Sequence, residues 1–511
     1  MEIHKISLQN THLLKHFISS SLPLSFRYFN KHTFKDCLLN HIVTIVGTVD
    51  NIPIAYGHID KGNEKQWLGI CVLPNYQGKG FGKQIMNYLL NETRDTIYLT
   101  VDTDNIVAQK LYIKFDFNII SSKDTHYVMK RQSNSLIYLP VSLGEALDKL
   151  TILDIKLDKI RDKRKEDVQK EYNILYDQLK DQIQEHNFHY DILKNINLNI
   201  WDMQDLFRES KDENEKNGLC MEIIDENDRR FRVKNKINNI CKSSIKEQKG
   251  YNKTKAFVLT HIDLGDNLTA LGAIRYYSTI YDEVIVVCKK KNLNNVKSFY
   301  QDDNSIKFYT VNEVCEISPG FGFPMELFNI ITKDCKVISC GMHCNQQIEE
   351  IPWSFYKHLN LRPNIFWDYF YVPTTNHSII LHNIVKNMNY VFIHNDCSKG
   401  KVFTLEDIEY KLNVNKNDIL FINPNENMYD SNHSNYELAN RFIGHLLLDY
   451  KLIIENAKYN ILNESSFFCL AIQLNIKTDN NYYITRFTGN ESEVIWDKYR
   501  YPSSKKRFRR I

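Results

Sequence analysis

The run Gln77-Gly78-Lys79-Gly80-Phe81-Gly82-Lys83 places glycine on three alternate positions, in a chain that has only 18 glycines among 511 residues. That concentration of backbone freedom marks a loop that must turn tightly and approach something closely. Upstream, residues 52–60 (IPIAYGHID) and 65–74 (KQWLGICVLP) read as strands separated by the turn-like 61–64. Downstream, Ile85, Met86, Leu89 and Leu90 recur at helical spacing. The glycines therefore occupy a strand-to-helix turn, where backbone N–H groups and the positive end of the helix dipole meet an anion.

Three nucleotide motifs compete for this turn. A dinucleotide fingerprint needs G-x-G-x-x-G, but 78–82 reads G-K-G-F-G; a P-loop needs Gly-Lys-Ser/Thr, but Lys83 precedes Gln84. The remaining pattern, Gln/Arg-x-x-Gly-x-Gly/Ala, is met by Gln77, Gly80 and Gly82. A second motif follows in 99–117, where Leu99, Val101, Asn105, Ala108, Leu111, Tyr112 and Phe117 fit L-x-V-x-x-x-N-x-x-A-x-x-L-Y-x-x-x-G-F, with Asp116 replacing the glycine.

These two motifs, in order and properly separated, resemble the GCN5-related N-acetyltransferase (GNAT) family over residues 1–131. The resemblance implies acetyl-CoA as cofactor. Backbone groups of Leu68, Gly69, Ile70, Cys71 and Val72 would hold pantetheine and polarise the carbonyl. Gln77, Gly78, Lys79, Gly80, Phe81, Gly82 and Lys83 would cradle pyrophosphate, and Asn105 would touch the cofactor. Tyr112 matches the tyrosine that protonates the departing sulfur; the alternative is a helix residue packing on the sheet. Many relatives carry a glutamate base where this chain has Leu68-Gly69-Ile70. His58 and Asp60, two apart on the preceding strand, share a face. His58 is a candidate base, directly or through water, or only a hydrogen-bonded residue that positions substrate. Residues 25–32 (SFRYFNKH) fall where the family shapes its acceptor pocket. This makes Arg27, Tyr28 and Asp60 acceptor-binding candidates, with Arg27 able to meet a phosphate or simply to lie at the surface.

The other 380 or so residues set further expectations. Length predicts about three domains, and 43% hydrophobic with 25% charged residues predicts globular cores. A formal charge of +3 argues against a nucleic-acid partner, and eleven unpatterned cysteines fit a reducing compartment. No basic-then-apolar leader opens the chain, and no run approaches the roughly 20 apolar residues of a bilayer span. The expectation is a soluble cytoplasmic protein without a membrane span. Residues 132–252 read as helical. Leu150, Leu153, Leu157, Ile160, Val168, Tyr172, Leu175 and Leu179 form one stripe, and 190–207 and 220–240 supply further helices. The charges of 158–167 read as a solvated face. This segment resembles a helical module of unassigned chemistry found beside bacterial glycosyltransferases; scaffolding or homo-oligomer contact is expected of it.

Residues 253–511 contain a second ligand loop. A buried strand 256–260, a turn at Gly265, a helix through Leu271 and Ile274 and a strand 284–288 make a β-α-β unit. A second set begins near 386, giving lobes of about 253–385 and 386–490 and a basic tail, 491–511, read as a solvated terminus. Gly265-Asp266 and Glu464-Ser465-Ser466-Phe467 resemble two-lobed GT-B glycosyltransferases, loosely the heptosyltransferases. By that resemblance Asp266 is the general base or an ordinary helix cap, His261 and Asp263 are reserves, and Glu464, Ser465 and Ser466 hold the nucleotide sugar. No metal is expected. The Asp-x-Asp at 102–104 sits on the acetyltransferase's cofactor strand, and Cys335, Cys340, His343 and Cys344 lack Cys-x-x-Cys pairs.

The combined expectation is an α/β multidomain chain: a GNAT fold, a helical segment and a GT-B-like pair of Rossmann-type lobes. It would acetylate a nucleotide-activated amino sugar, such as a 4-amino-4,6-dideoxyhexose of the viosamine type, and transfer it to a glycan or glycoprotein. Its plan and AT-rich composition resemble the fused enzymes that giant DNA viruses use for surface glycans, which would place it in host cytoplasm. The rival is a protein N-acetyltransferase whose rear lobes only bind.

Overall fold

The structure is a computed structural model that describes the chain apart from residues 63–64, 94, 133–138, 251–252, 261–262, 313–334, 341–352, 398–399, 402, 413, 485–504 and 511. Two compact units emerge, Met1–Pro140 and Val141–Ile511. No described helix is long and apolar enough to cross a membrane.

In the first unit the order is β1 (Glu2–Lys5), α1 (Thr11–Ile18), α2 (Phe34–Asn40), β2 (His41–Val49), β3 (Ile52–Asp60), β4 (Gln66–Val72), α3 (Phe81–Asn91), β5 (Ile97–Asp102), α4 (Ile106–Lys114), β6 (Asn118–Ser122) and β7 (His126–Arg131). The sheet runs β1-β2-β3-β4-β5-β7-β6. Asp50 and Asn51 both hold positive φ, which gives the β2–β3 hairpin a tight turn matched to strand twist. Strand alternation then sorts side chains between two cores. Val43 and Ile45 pack with Ile85, Met86 and Leu89 of α3, while Val46 and Tyr56 pack with Leu14 and Phe17 of α1 and Cys37 of α2. Asp116 adopts φ +64° and completes the turn after α4 that glycine usually makes; the Phe117 N–H returns to the Tyr112 carbonyl at 3.1 Å.

The second unit opens with four helices, α5 (Leu143–Lys159), α6 (Arg164–Glu185), α7 (Asn187–Glu209) and α8 (Glu213–Ile240). The single stripe expected across 150–179 is broken. Ile160 is extended, and the Asp162 carboxylate takes the Arg164 N–H at 2.9 Å, so a local turn competes with helix there. Then come β8 (Lys255–Leu259), α9 (Leu264–Thr269), α10 (Leu271–Ile280), β9 (Glu283–Lys289), α11 (Leu293–Ser298), β10 (Ile306–Val311) and β11 (Cys335–Ser339). α12 (Trp353–His358), α13 (Ile365–Asp368) and α14 (Asn376–Val385) lead to β12 (Tyr390–His394) and the ribbon β13 (Asp396–Cys397) with β14 (Gly400–Lys401). The chain continues through α15 (Leu405–Leu412), β15 (Leu420–Ile422), α16 (Tyr436–Asn440), α17 (Lys451–Asn456), β16 (Tyr459–Asn463), α18 (Ser466–Ala471), β17 (Asn481–Ile484) and β18 (Arg509–Arg510).

Two all-parallel sheets result, β10-β9-β8-β11 and β15-β12-β16-β17-β18. In each, strand order reverses beside the first strand, the place where such sheets open a crevice at their carboxyl ends. The tail expected to be solvated instead supplies β18. Phe508 is buried against Phe468, and the Lys505 ammonium donates to the Gln473 carbonyl at 2.6 Å. One apolar core runs from Leu147 and Ile196 through Val258 and Ile274 to Phe392 and Ile461.

Charge fixes α8 to the first of these sheets. Lys236 is buried with Asp303 at 2.5 Å and Ser305 at 2.6 Å, and Arg275 grips Asp302 through two bonds of 2.7 Å. Burial pushes the Asp303 carboxyl up, but Lys236 and Arg275 outweigh it and hold the pKa far below the ordinary range. Its stabilisation is therefore complete above about pH 4, the unfolded value, and is lost only as pH falls through the lower folded value. Asp303→Ala would leave the buried Lys236 with only the Ser305 hydroxyl, while Arg275 keeps Asp302, and should cost about 3–5 kcal/mol. Urea unfolding of the full chain measures this; a cost below about 1 kcal/mol would show that the network relaxes around the loss.

Candidate active site

Strand β4 is the centre of the first unit's site. It pairs with β3 from Leu68 to Val72, but its parallel ladder with β5 holds only Gln66 with Ile97 and Trp67 with Tyr98. From Leu68 onward the two strands part. Leu68 and Cys71 are buried, while Gly69, Ile70 and Val72 are partly exposed. The wedge so formed presents β4 backbone groups that no described strand pairs on that side.

The glycine loop lies just beyond. Gly78 and Gly80 take φ of +78° and +81°, and a Cβ at either would meet nothing within 4 Å, so left-handed backbone requires glycine and the loop faces open space. Gln77 ties the loop to β4 through the Val72 carbonyl at 3.0 Å. The first intrahelical bond of α3 runs from the Gln84 N–H to the Gly80 carbonyl, which leaves the N–H groups of Phe81, Gly82 and Lys83 facing outward. Lys79 stands over the Tyr76 ring at 5.4 Å. This is a cationic, donor-rich pocket mouth.

Asn105 caps α4, its Oδ1 accepting the Ala108 N–H at 3.2 Å. The helix so started buries Tyr112 to 7% exposure. Burial, with the Cys71 thiol nearby, lifts the Tyr112 pKa above the ordinary phenol range, so the hydroxyl keeps its proton.

On the α1/α2 side the acceptor candidates gather with residues not singled out in the sequence. Tyr28, His32, His41 and His58 form a run of ring contacts: His41 stacks on His58 at 4.4 Å, Tyr28 touches His58 at 4.2 Å and stacks on His32 at 4.4 Å. Burial lowers His58 well below ordinary histidine, with His41 and His32 adding to the effect. Its Nδ1 is buried without a hydrogen-bond partner. Arg27 does not stand free for a phosphate; it bonds Asp102 at the end of β5. Asp60 braces the β3–β4 turn by accepting the Trp67 N–H at 3.2 Å, and burial raises its pKa. His41 and Thr44 escaped notice because a hairpin register, Thr44 opposite His58, is what brings them to the cluster.

In the second unit the two loops singled out from sequence meet. A Cβ on Gly265 would lie 3.9 Å from the Ser466 Cα and 3.7 Å from the Cys469 Sγ. Asp266 falls in the first turn of α9, Asp263 pairs with Lys289 at 2.9 Å, and Glu464 is buried. Ser465 Oγ and Asn463 Oδ1 both contact His394 Nδ1, at 3.1 and 2.9 Å. His394 and Asn463 end β12 and β16, the strands that flank the reversal of order, and neither was picked out from sequence. His261, His343 and Cys344 lie outside the described residues. Among described residues, no group of three His, Cys, Asp or Glu could hold a metal ion.

Comparison with known proteins bears on the N-terminal residues that carry the first of these sites. The acetyltransferase (GNAT) family model matches residues 12–117, and a family of unknown function (DUF6165) matches 137–260. A [ribosomal protein bS18]-alanine N-acetyltransferase of Haemophilus ducreyi is 31% identical over 71 residues, 13% of this chain and 49% of that protein. The chain thus spans about half the length of this relative. Among solved structures, yncA of Salmonella typhimurium, determined with acetyl-CoA, shares 14% identity over 28% of this chain and 98% of its own, at a TM-score of 0.22. The ribosomal-protein-S18-alanine N-acetyltransferase of Escherichia coli shares 18% over 27% of this chain and 99% of its own, at 0.21. The N-terminal part of the chain is accordingly an acetyltransferase domain of the GNAT family.

Proposed function

We propose that the N-terminal unit transfers the acetyl group of acetyl-CoA to the amine of a nucleotide-activated amino sugar. The observation that carries acetyl transfer is the parting of β4 from β5 beside a loop whose Gly78 and Gly80 hold positive φ. Leu68 to Val72 would bind pantetheine and orient the carbonyl, and the amides of Gly78 to Lys83 would bind pyrophosphate. The residues fit that cofactor, because the space a Cβ would fill at both glycines is open. Acetyl-CoA supplies an acyl group already activated as a thioester. Tyr112, protonated and placed by the Asn105 cap, is the group that gives the departing sulfur its proton.

For the acceptor, the rings of Tyr28, Phe29 and His32 line the α1/α2 side, which suits stacking on a sugar ring. The second unit would then pass the sugar to a glycan. Two parallel sheets whose carboxyl-end loops meet at Gly265 and Ser466 support this GT-B-type reading. Asp266 is its base, and Glu464, Ser465 and Ser466 are its nucleotide contacts. A peptide α-amine, as in the name of the Haemophilus ducreyi relative, is the competing acceptor.

The deciding experiment offers acetyl-CoA with nucleotide-linked 4-amino sugars in one arm and an N-terminal alanine peptide in the other, and follows free thiol. Turnover confined to the peptide would overturn the sugar assignment. Tyr112→Phe should lower kcat about 10²-fold or more with acetyl-CoA affinity nearly unchanged, as measured by steady-state kinetics and calorimetry; equal kcat removes the tyrosine from the chemistry. Asp266→Asn should abolish sugar transfer and leave acetylation intact in a radiolabelled-sugar assay. Retained sugar transfer would reduce Asp266 to a helix-start residue.

A further inference from the structure

Behind Tyr28 runs a chain of hydrogen bonds that ends on the backbone. Tyr28 Oη bonds His41 Nε2 at 2.6 Å, His41 Nδ1 bonds Thr44 Oγ1 at 2.7 Å, and the Thr44 hydroxyl donates to the Cys37 carbonyl at 3.4 Å. The direction of every proton follows from that carbonyl, which can only accept. Thr44 gives it its proton, so the Thr44 oxygen accepts the His41 Nδ1–H. His41 Nε2 is then a bare lone pair, and it accepts the Tyr28 O–H. Tyr28 thus points its proton inward and keeps its oxygen lone pairs for an incoming donor.

Position favours the same use. Tyr28 is half-buried and its partner His41 is only 6% exposed, so His41 meets a ligand through Tyr28. The His58 ring, stacked on His41 and touching Tyr28, covers Gly69; a Cβ there would stand 2.3 Å from His58 Cε1. Gly69 belongs to the stretch of β4 that has parted from β5. The phenol–imidazole pair therefore lies one ring away from the strand that would present the thioester.

We propose that Tyr28 and His41 form the proton relay that deprotonates the acceptor amine, with Tyr28 as the catalytic group and His41 and Thr44 as positioning residues behind it. This rests on the acetyl-transfer reading above. The amine nitrogen bonds the acetyl carbon and gives one proton to Tyr28 Oη, while the Tyr28 proton passes to His41 Nε2. The carbon–sulfur bond breaks, and the sulfur leaves with one proton from Tyr112. His41 afterwards returns its proton through Tyr28 to water, which re-protonates Tyr112, so the balance is amine plus thioester to amide plus thiol. His58 becomes a wall that holds both rings in place, and the base role moves from it to Tyr28.

The electrostatics fit a relay. Burial, with His32 adding to it and Asp36 opposing, lowers His41 to about 4, so the imidazole is neutral and receptive at pH 7. Burial, together with Cys37, Asp60 and Asp36, raises Tyr28, so its hydroxyl stays protonated until it hands its proton on. An amine bonded to an acyl carbon is far more acidic than a free ammonium, and a weak base therefore suffices. Of the other groups around His41, His58 stacks on its ring and is held well below ordinary histidine by burial, while His32 and Asp36 act on it through their charge.

The test uses the full chain and the best amine from the acceptor panel. Tyr28→Phe keeps the ring stacks and removes only the hydroxyl; kcat should fall about 10²-fold while acceptor KM and calorimetric acetyl-CoA affinity stay close to wild type. His41→Gln should reduce kcat less and convert a curved proton inventory in mixed H2O and D2O into a straight one. The wild-type pH profile of kcat/KM should follow the acceptor amine, with no enzyme limb near 6.5, because His41 titrates at about 4. Independently of turnover, histidine ¹⁵N NMR should show His41 neutral with its proton on Nδ1, and Tyr28→Phe should shift the Nε2 resonance alone. Equal kcat in Tyr28→Phe and an active wild type, or a proton on His41 Nε2, overturns the relay. A wild type that acetylates no amine overturns the acetyl-transfer reading itself.

Discussion

Everything in the first unit depends on β4 leaving β5 after two residue pairs. A parallel ladder continued to Val72 would satisfy the strand's backbone and close the sheet. Its interruption leaves polar main-chain groups at the centre of a folded unit, an arrangement that persists only where a ligand or water completes it. Each neighbouring feature serves that opening. The glycine loop adds outward amides at one end, and the imidazole cluster closes the opposite side over Gly69. Gly69 is itself forced by this geometry, because the His58 ring occupies the volume of any larger residue.

In the second unit the corresponding constraint is electrostatic. α8 carries Arg229, Arg232, Lys234 and Lys236 inward, each matched to an acid: Glu226, Asp282, Glu145 with Glu247, and Asp303. Unpaired, those cations would not tolerate burial; paired, Arg232 with Asp282 and Lys236 with Asp303 fix the helix against the first parallel sheet. The helices and both sheets consequently share one core. The two sheets bring their carboxyl-end loops together at α9 and α18, where Gly265 faces Ser466 and Cys469.

Much of the first site was legible in the chain because its parts are local. Gly78 and Gly80 are the residue type that can take the positive φ a tight loop needs, and Asn105, Ala108 and Tyr112 sit at helical spacing behind one cap. The parallel lobes were legible for the same reason, as short buried strands alternating with helices. Three features resisted. The break at Ile160 depends on one Asx-type turn inside an otherwise helical stripe. The basic tail reads as solvated, yet Phe508 finds Phe468 and draws Arg509–Arg510 into the sheet. Arg27 reads as free until its contact with Asp102, 75 residues away, is seen.

By itself the sequence determined the elements, the anion-binding turn and the residue types that surround it, since propensity, glycine conformation and capping act within a few residues. Tertiary structure alone decided which of the many histidines and tyrosines act together. His41 and Thr44 share β2, but Tyr28 lies in the segment before α2, and only the packing of that segment against the strand aligns its hydroxyl with His41. The same holds for His394 beside Asn463 and for Lys236 beside Asp303. Protonation and burial are properties of a place in space, and no local pattern encodes a place created by the meeting of distant strands.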